Sequence, residues 1–466
     1  MLDFDYDITG LRGADYNPRK IGEEDLERLA ESIEKLGLVK PLIVRGDLLV
    51  AGHQRTKALR KLGRTTAAVY VLPTNTTTYD EVRFNQLHNG TDLDGGDENV
   101  TLGALPELGF QQVGFERING NLRSKLAAVR KEICELIRKY GAWGGVVATQ
   151  SGKVIHCAQY ALAALMTRTP LTVYVVEDAR EEEYKHYLNG QYGEFSYEGL
   201  SKDTFIQTFA QMHRLRKTDS GKENRSTLYE NHVIPWLQKN KEARGIDFGS
   251  GQGDYAKMLR KVGFDFHDIE LFRRAKGKQA PDLRAVNRMI DKALASIKKH
   301  GLFDFVVCDS VMNSVDCLEA EAAVLGVCSA LCKPGGMVFF SGRKMERIEQ
   351  LNRVTKRTDT TRGVEFLDKD GFTALYRKGR WFYQKFHDEK QVEQLIKRNK
   401  WKTVEHARKA SSTSWQASAQ KVASAPWPEL QKHLEYEFNI KVSDTRRLGR
   451  HTDVIHTLES FYADND

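Results

Sequence analysis

No run of apolar residues in this 466-residue chain is long enough to cross a membrane, although 40% of its residues are hydrophobic. That excludes a membrane-spanning helix. The six cysteines, Cys134, Cys157, Cys308, Cys317, Cys328 and Cys332, contain no C-x-x-C pair and have no histidine at metal-ligand spacing. Neither a zinc site nor a disulfide framework is predicted, and the thiols read as small buried residues in a reducing compartment. The first residues, MLDFDYDITGLRG, are acidic where a secretory signal is basic and then apolar, so the expected location is the cytoplasm. The glycine-rich loop near residue 250 lacks the G-x-G-x-x-G spacing of a dinucleotide site, and no GKS/T follows it to hold a triphosphate. What is present is length for two to four domains and a small basic excess, 71 Lys and Arg against 63 Asp and Glu. Residues 343–402 alone hold 17 Lys or Arg and 9 Asp or Glu, which is the whole of that excess. A positive field so localised either attracts polyanions or is a solvated basic face.

The stretch GIDFGSGQGDYAKML, Gly245 to Leu259, joins an apolar lead-in, an acid and three alternating glycines. Asp247 ends a first parallel strand. Gly249, Gly251 and Gly253 let the backbone turn tightly and approach a ligand, and Tyr255 to Val262 read as the helix that follows. FDFHDIE makes a second strand ending at Glu270, placed where an acid accepts both hydroxyls of a ribose. The pattern predicts a pocket for an adenosyl ligand, S-adenosylmethionine.

Two further motifs follow in order, LFDFVVCDSVMNSV (302–315) and LCKPGGMVFFSGR (331–343), and HVIPWLQ precedes the first strand as a lead-in helix. With them the region 227–400 resembles a class I SAM-dependent methyltransferase. The resemblance implies a Rossmann-like α/β fold in which Asp247 and the glycines place the methionine end of the cofactor and Glu270 the ribose. Asp309, which also lines the cofactor pocket, and Asn313 would stand at the mouth where the acceptor arrives. Asp309 would act there either as a base or only to order the loop. Between Glu270 and Phe303 a basic loop and a helix, Leu283 to His300, occupy the place of a third strand with its acid or amide for the adenine. CDSVMN (308–313) is neither the D/N/S-P-P-Y/F of amino-directed DNA methylases nor a Pro-Cys nucleophile, so no covalent mechanism is expected.

In the N-terminal half, Leu26, Leu29, Ile33 and Leu36 fall at helical spacing with Gly37 as a stop. PLIV and LLVAG read as strands around an Arg-Gly-Asp turn, Thr56 to Leu62 as a helix and AAVYVL as a further strand. With the Asn-Pro-Arg opening at 17–19, the S-I-x-x-x-G-x-x-x-P run and the Gly-His-Gln-Arg box at 52–55, residues 1–100 resemble a ParB/sulfiredoxin-like α+β domain. In that resemblance Gly52, His53 and Arg55 stand at the phosphate cradle. A nucleotide such as CTP or ATP is the implied ligand, with Arg55 either a phosphate ligand or a structural residue and His53 an orienting one. His53 and Gln54 replace the family's Glu and Arg, which puts CTP hydrolysis in doubt, and the sulfiredoxin cysteine is missing. A Gly at the start of a helix with an Arg one turn in holds a phosphate through exposed N–H groups and a bidentate donor. A degenerate second unit is expected within 121–215, where Gly145 to Gly190 repeats strand, turn, strand, small-residue helix, VYV strand and acidic helix, with Ala158 in the place of Gly52.

After the methyltransferase motifs, EFLDKDGFTALYRKGRWFYQKF (365–386) has the alternation of a β-hairpin. Its exposed face is expected to carry Arg377, Lys378, Arg380 and Lys385 among Tyr376, Trp381, Phe382 and Tyr383, a surface for stacking and phosphate contact unless the aromatics are core. Residues 401–466 are expected to be a helical segment. The architecture as a whole resembles ParB-domain fusions to DNA methylases of bacteria and phages. That implies a cytoplasmic SAM-dependent methyltransferase acting on DNA, without metal or membrane. The competing readings are methylation of RNA or a small molecule, and a ParB-like DNA-binding regulator that senses SAM without turnover.

Overall fold

The computed structural model describes residues 2–90, 99–122, 127–188, 190, 192–202, 213–217, 221, 223–274, 281–346, 367–377, 379–406, 413–443 and 445–462. The chain divides into two compact units, one built mainly from Met1–Leu200 and the other from Ser201–Arg347 with Trp381–Asp466; Ala374–Arg380 belongs to the first.

The first unit holds the same small motif twice. Strand β1 (Leu2–Asp7), helix α1 (Glu23–Leu36), β2 (Leu42–Arg45), β3 (Leu48–Ala51), α2 (His53–Lys61), β4 (Thr66–Val71) and α3 (Thr78–Gly90) follow in order. β5 (Gly109–Val113), α4 (Ala127–Tyr140), β6 (Gly145–Thr149), β7 (Val154–His156), α5 (Ala158–Thr167), β8 (Leu171–Val176) and α6 (Glu181–Leu188) repeat the series. The sheets run β1-β4-β2-β3, with the short strand Arg12–Gly13 at the β3 edge, and β5-β8-β6-β7. In both, the second and fourth strands pair in parallel and the remaining pairs of the motif are antiparallel. The register agrees as well. The shift that carries Gly52 to Cys157 carries Leu42↔Val69, Ile43↔Tyr70 and Val44↔Val71 onto Val147↔Tyr174, Ala148↔Val175 and Thr149↔Val176. One apolar core joins the motifs, from Ile43, Tyr70 and Phe84 to Trp143, Tyr160 and Val173. Polar ties close it, Tyr70 O–H donating to Gly144 O at 3.0 Å and Arg83 reaching Glu132 at 2.6 Å. The position equivalent to Gly52 is Cys157, not Ala158: Cys157 takes the left-handed place before the helix (φ +64°), and Ala158 is the first helical residue.

The second unit begins with a helical lead-in ending in α7 (Ile234–Lys239) and continues with β9 (Gly245–Phe248), α8 (Asp254–Lys261), β10 (Phe266–Ile269), α9 (Leu283–His300), β11 (Phe303–Cys308), α10 (Leu318–Leu331) and β12 (Cys332–Lys344). β13 (Phe372–Arg377) and β14 (Arg380–His387) form the hairpin read from the sequence. Then come α11 (Glu389–Arg398), β15 (Trp401–His406), β16 (Ser414–Lys421), α12 (Trp427–Phe438) and α13 (His451–Glu459). β10, β9, β11 and β12 are parallel neighbours in that order, and β12 pairs antiparallel with β16, which pairs with β15. β9 is buried at every residue, as expected of a central strand covered on both faces. α9 spans the predicted residues: Val286, Ile290, Ala293, Leu294 and Ile297 are buried at helical spacing, and Asp282 caps it by accepting from the Ala285 N–H at 3.1 Å. Among the described residues no strand lies between β10 and β11.

The expectation of a purely helical segment after residue 401 is corrected, since that segment opens with two strands of this sheet. β16 is buried on both faces through small residues, Ala417, Ser418 and Ala419, and so lacks the bulky β-branched run that marks a strand.

Candidate functional site

Beyond β9 the three glycines all take positive φ: Gly249 +84°, Gly251 +56° and Gly253 +65°. A Cβ on Gly249 would lie 2.3 Å from Cγ2 of Val311, so the missing side chain is what lets the loop after β11 close on this turn. Gly249→Ala adds left-handed strain to that clash and is expected to weaken SAM binding at least about tenfold, the effect of roughly 1.4 kcal/mol. Calorimetric titration checks this. Affinity unchanged from wild type would show that the loops are not closely packed in solution.

Asp247 on β9 is buried, and its Oδ2 accepts from the Tyr229 O–H at 2.6 Å while Oδ1 has no hydrogen-bond partner among the described residues. Burial drives its carboxyl well above the ordinary range against the Tyr229 hydrogen bond, with Asp309, Asp268 and Glu270 adding to the rise. Glu270, just past β10, is also buried and also raised, chiefly by desolvation. Its Oε2 accepts from the Gly251 N–H at 2.7 Å and its Oε1 from the Phe272 N–H at 3.0 Å. Each oxygen keeps a lone pair, and the carboxylate is pinned to the glycine turn. Arg273 closes the far side, Nη1 donating to Gly251 O at 2.5 Å. An orphaned buried oxygen, a cradle that a Cβ would fill and a fixed two-oxygen acceptor fit a cationic adenosyl ligand.

The loop after β11 brings Asp309 and Asn313 to the same edge of the sheet. Asp309 Oδ1 accepts from the Ser341 hydroxyl at 2.7 Å and the Ser310 hydroxyl at 3.2 Å, and Arg214 Nη2 stands 3.8 Å from Oδ2. Ser310, at φ +60°, returns its N–H to Ser341 Oγ at 2.8 Å. These bonds tie the Asp309 side chain to Ser341 near the end of β12 and to its own loop. Asn313 Nδ2 donates to Ser314 Oγ at 3.3 Å, and its carbonyl accepts from the Lys385 N–H at 3.3 Å. Tyr229, Ser341 and Arg214 complete this site, and sequence reasoning missed all three. Their contacts reach across the chain, and the only signal near any of them was the lead-in helix HVIPWLQ, which begins just after Tyr229.

In the first unit, Gly52 precedes α2 at φ +97°, where a Cβ would meet Leu42 Cδ2 at 2.6 Å. Gly52, His53 and Arg55 line one pocket with Asn17, Arg19 and Lys40. His53 Nε2 accepts from the Ala14 N–H at 3.0 Å, and burial lowers its pKa to about 4, so the ring is neutral and orients the chain before it. Arg55 Nη1 donates to Lys40 O, and Nη2 lies 2.8 Å from His88 Nδ1. The second motif has Tyr160 at the equivalent position, its hydroxyl accepting from the N–H groups of Trp143 and Gly144 at 3.0 and 2.9 Å. In both motifs this residue ties its helix to the loop before the first parallel strand, and Arg55 does so from the wall of the pocket.

Of the two readings of the hairpin aromatics the structure has the core one, with Trp381 and Tyr383 buried and Tyr376 and Phe382 half-buried, and the expected exposure of Lys385 is corrected, since it too is buried. Lys385 Nζ lies 3.8 Å from Glu321 Oε1 on α10 and 4.6 Å from the Phe372 ring centroid, while His387 Nε2 lies 2.7 Å from the same carboxylate. Strand alternation alone does not show which face the sheet buries, and here it buries the face carrying Lys385. Arg380 is half-buried, and the Arg377 and Lys378 side chains lie outside the described residues. Among the described residues no cluster of His, Cys, Asp or Glu is arranged to hold a metal, and no helix is long and apolar enough to cross a membrane.

A Rossmann-like sheet with this glycine turn and these two acids defines the SAM-dependent methyltransferase class, and residues 222–378 match the methyltransferase domain family. Residues 5–85 match the ParB N-terminal domain family, so the chain is a ParB-like domain fused to a methyltransferase domain. The ubiquinone biosynthesis O-methyltransferase of Ralstonia nicotianae is 29% identical over 119 residues, 23% of this chain and 48% of that protein. The enzyme of the same name from Methylococcus capsulatus is 31% identical over 103 residues, 21% of this chain and 42% of that protein. The chain thus spans about half the length of the curated relatives it matches. An S-adenosylmethionine-dependent methyltransferase of Clostridium acetobutylicum aligns with a TM-score of 0.29 at 12% identity, covering 42% of this chain and 92% of that one.

Proposed function

We propose that this protein is a SAM-dependent methyltransferase that modifies DNA, of the kind carried by phages and mobile elements, with its ParB-like half engaging DNA or a nucleotide. The observation that carries the methyltransferase reading is the pairing of a pinned ribose acceptor, Glu270, with the orphaned Asp247 oxygen across the glycine turn. When bound, the cofactor supplies an electrophilic methyl group on a sulfonium. Asp247 and the Gly249–Gly253 turn would hold its cationic methionine end and Glu270 its ribose. Asp309, fixed by Ser341, would keep the loop bearing Asn313 at the acceptor mouth, and this loop would align the target atom and exclude water.

DNA as the acceptor is supported by the fusion to a ParB-like domain and by the basic excess within 343–402. If this segment binds phosphates, log affinity for DNA falls linearly with log salt, and each contacting cation lowers the slope by about one when replaced. The triple variant Arg377→Ala, Lys378→Ala, Arg380→Ala is then expected to weaken DNA binding and flatten the slope while SAM affinity is retained. Wild-type DNA affinity at every salt concentration would move the acceptor to a small molecule. That second reading is favoured by the relatives named as ubiquinone biosynthesis O-methyltransferases. Nucleoside mass spectrometry of DNA from cells with and without the protein separates the two.

A further inference from the structure

Helix α9 fills the stretch between β10 and β11, and its charge is one-sided. Over Leu283–His300 it carries Arg284, Arg288, Lys292, Lys298 and Lys299 against a single acid, Asp291. All five cations are exposed, and no carboxylate among the described residues pairs with any of them. At about 100° per residue their side chains fall within an arc of roughly 120°. Val286, Ile290, Ala293 and Ile297, which are buried, stand on the opposite side. The acid in the basic arc, Asp291, is neutralised by Arg450, whose Nη2 lies 2.6 Å from its Oδ1. Arg446 and Arg447, both exposed, lie within about 14 Å of Arg450 along the chain.

This face starts at the glycine turn. Asp282, which caps α9, donates its N–H to Arg273 O at 2.6 Å, and the Arg273 guanidinium in turn reaches Gly251 O. From Arg284 to Lys299 the face runs about 22 Å at roughly 1.5 Å per residue, the axial span of about six nucleotides of one duplex strand. Like charges at i and i+4 destabilise a helix, so Arg284, Arg288 and Lys292 in succession are a cost that an anionic partner lifts. We infer that this face of α9, with Arg447 beside it, is a docking surface for the phosphate backbone of duplex DNA, laying the duplex alongside the glycine turn. The partner is a polyanion and not a lipid surface, because the apolar side of α9 is already buried within its own unit and the exposed side has nothing to enter a bilayer. Contacts of this kind position a duplex without reading its sequence. The inference rests on the DNA reading above and gives it a backbone-binding surface outside residues 343–402.

The test is fluorescence anisotropy of the full chain with a labelled duplex of roughly 20 base pairs, about two helical turns, over a series of salt concentrations. The triple variant Arg284→Ala, Arg288→Ala, Lys292→Ala is expected to bind at least about tenfold more weakly at physiological salt and to lower the slope of log affinity against log salt by about three. Its fold should be unharmed, since all three side chains are exposed and alanine favours a helix. The variant Lys239→Ala, Lys241→Ala, Lys261→Ala, an equal loss of exposed charge on the same unit, should keep a slope within about one of wild type. An α9 variant with wild-type affinity and slope overturns the proposal and leaves the DNA reading standing, as does an equal loss in both triple variants. A wild type that binds no duplex overturns the DNA reading and this proposal together, and sedimentation with phosphatidylserine vesicles then shows whether the face belongs to a lipid surface.

Discussion

Replacing Glu270 by Ala is expected to lower SAM affinity at least about 100-fold, because two charge-assisted hydrogen bonds to ribose are lost at roughly 1.5 kcal/mol each or more. The backbone consequence adds to this, since Glu270 also accepts from the Gly251 N–H and so holds the turn in shape. Asp247→Ala should have a comparable effect from the opposite end of the ligand. It leaves the buried Tyr229 hydroxyl without its acceptor. Calorimetry with S-adenosylmethionine measures both, and circular dichroism verifies folding. Affinities within threefold of wild type for both folded variants would remove the cofactor assignment.

The second large effect is on stability. Glu321, Lys385 and His387 form a buried network on the inner face of the β14 strand. Burial alone would raise the Glu321 carboxyl, but the His387 hydrogen bond and the Lys385 charge outweigh it and hold the group below its ordinary value. A lowered folded-state pKa contributes stability that is present above the unfolded value and is lost as pH falls through the folded one. Glu321→Ala should therefore reduce stability at neutral pH by about 3–5 kcal/mol, the usual consequence of removing one partner of a buried pair. That corresponds to a fall of roughly 10 °C in the melting temperature of a unit this size. Glu321→Gln should lose less, because its amide oxygen still accepts from His387, and it should flatten the acid limb of the stability profile. A change below about 1 kcal/mol in Glu321→Ala would mean that water reaches the site, as at an exposed ion pair.

Much of the candidate site's backbone is local in origin, which is why its turn and strands were legible. Glycines at alternate positions require a turn wherever they stand, and the acid at the end of the next strand follows from strand length. The α9 helix is encoded by its own apolar spacing and its Asp282 cap. The repeated motif of the first unit is legible for the same reason, as an order of short elements, though one residue of its alignment was set only by backbone conformation at Cys157.

The chain alone therefore determined the glycine turn, Glu270, the helix from Leu283 to His300 and the doubled order of strands and helices, all of which follow from spacing between neighbours in sequence. Only the tertiary structure decided which distant groups meet: Tyr229 under Asp247, Ser341 beside Asp309, and Lys385 turned inward to Glu321. Local patterns set backbone conformation and the apolar face of each element, whereas partners far apart in sequence are chosen by how those faces pack.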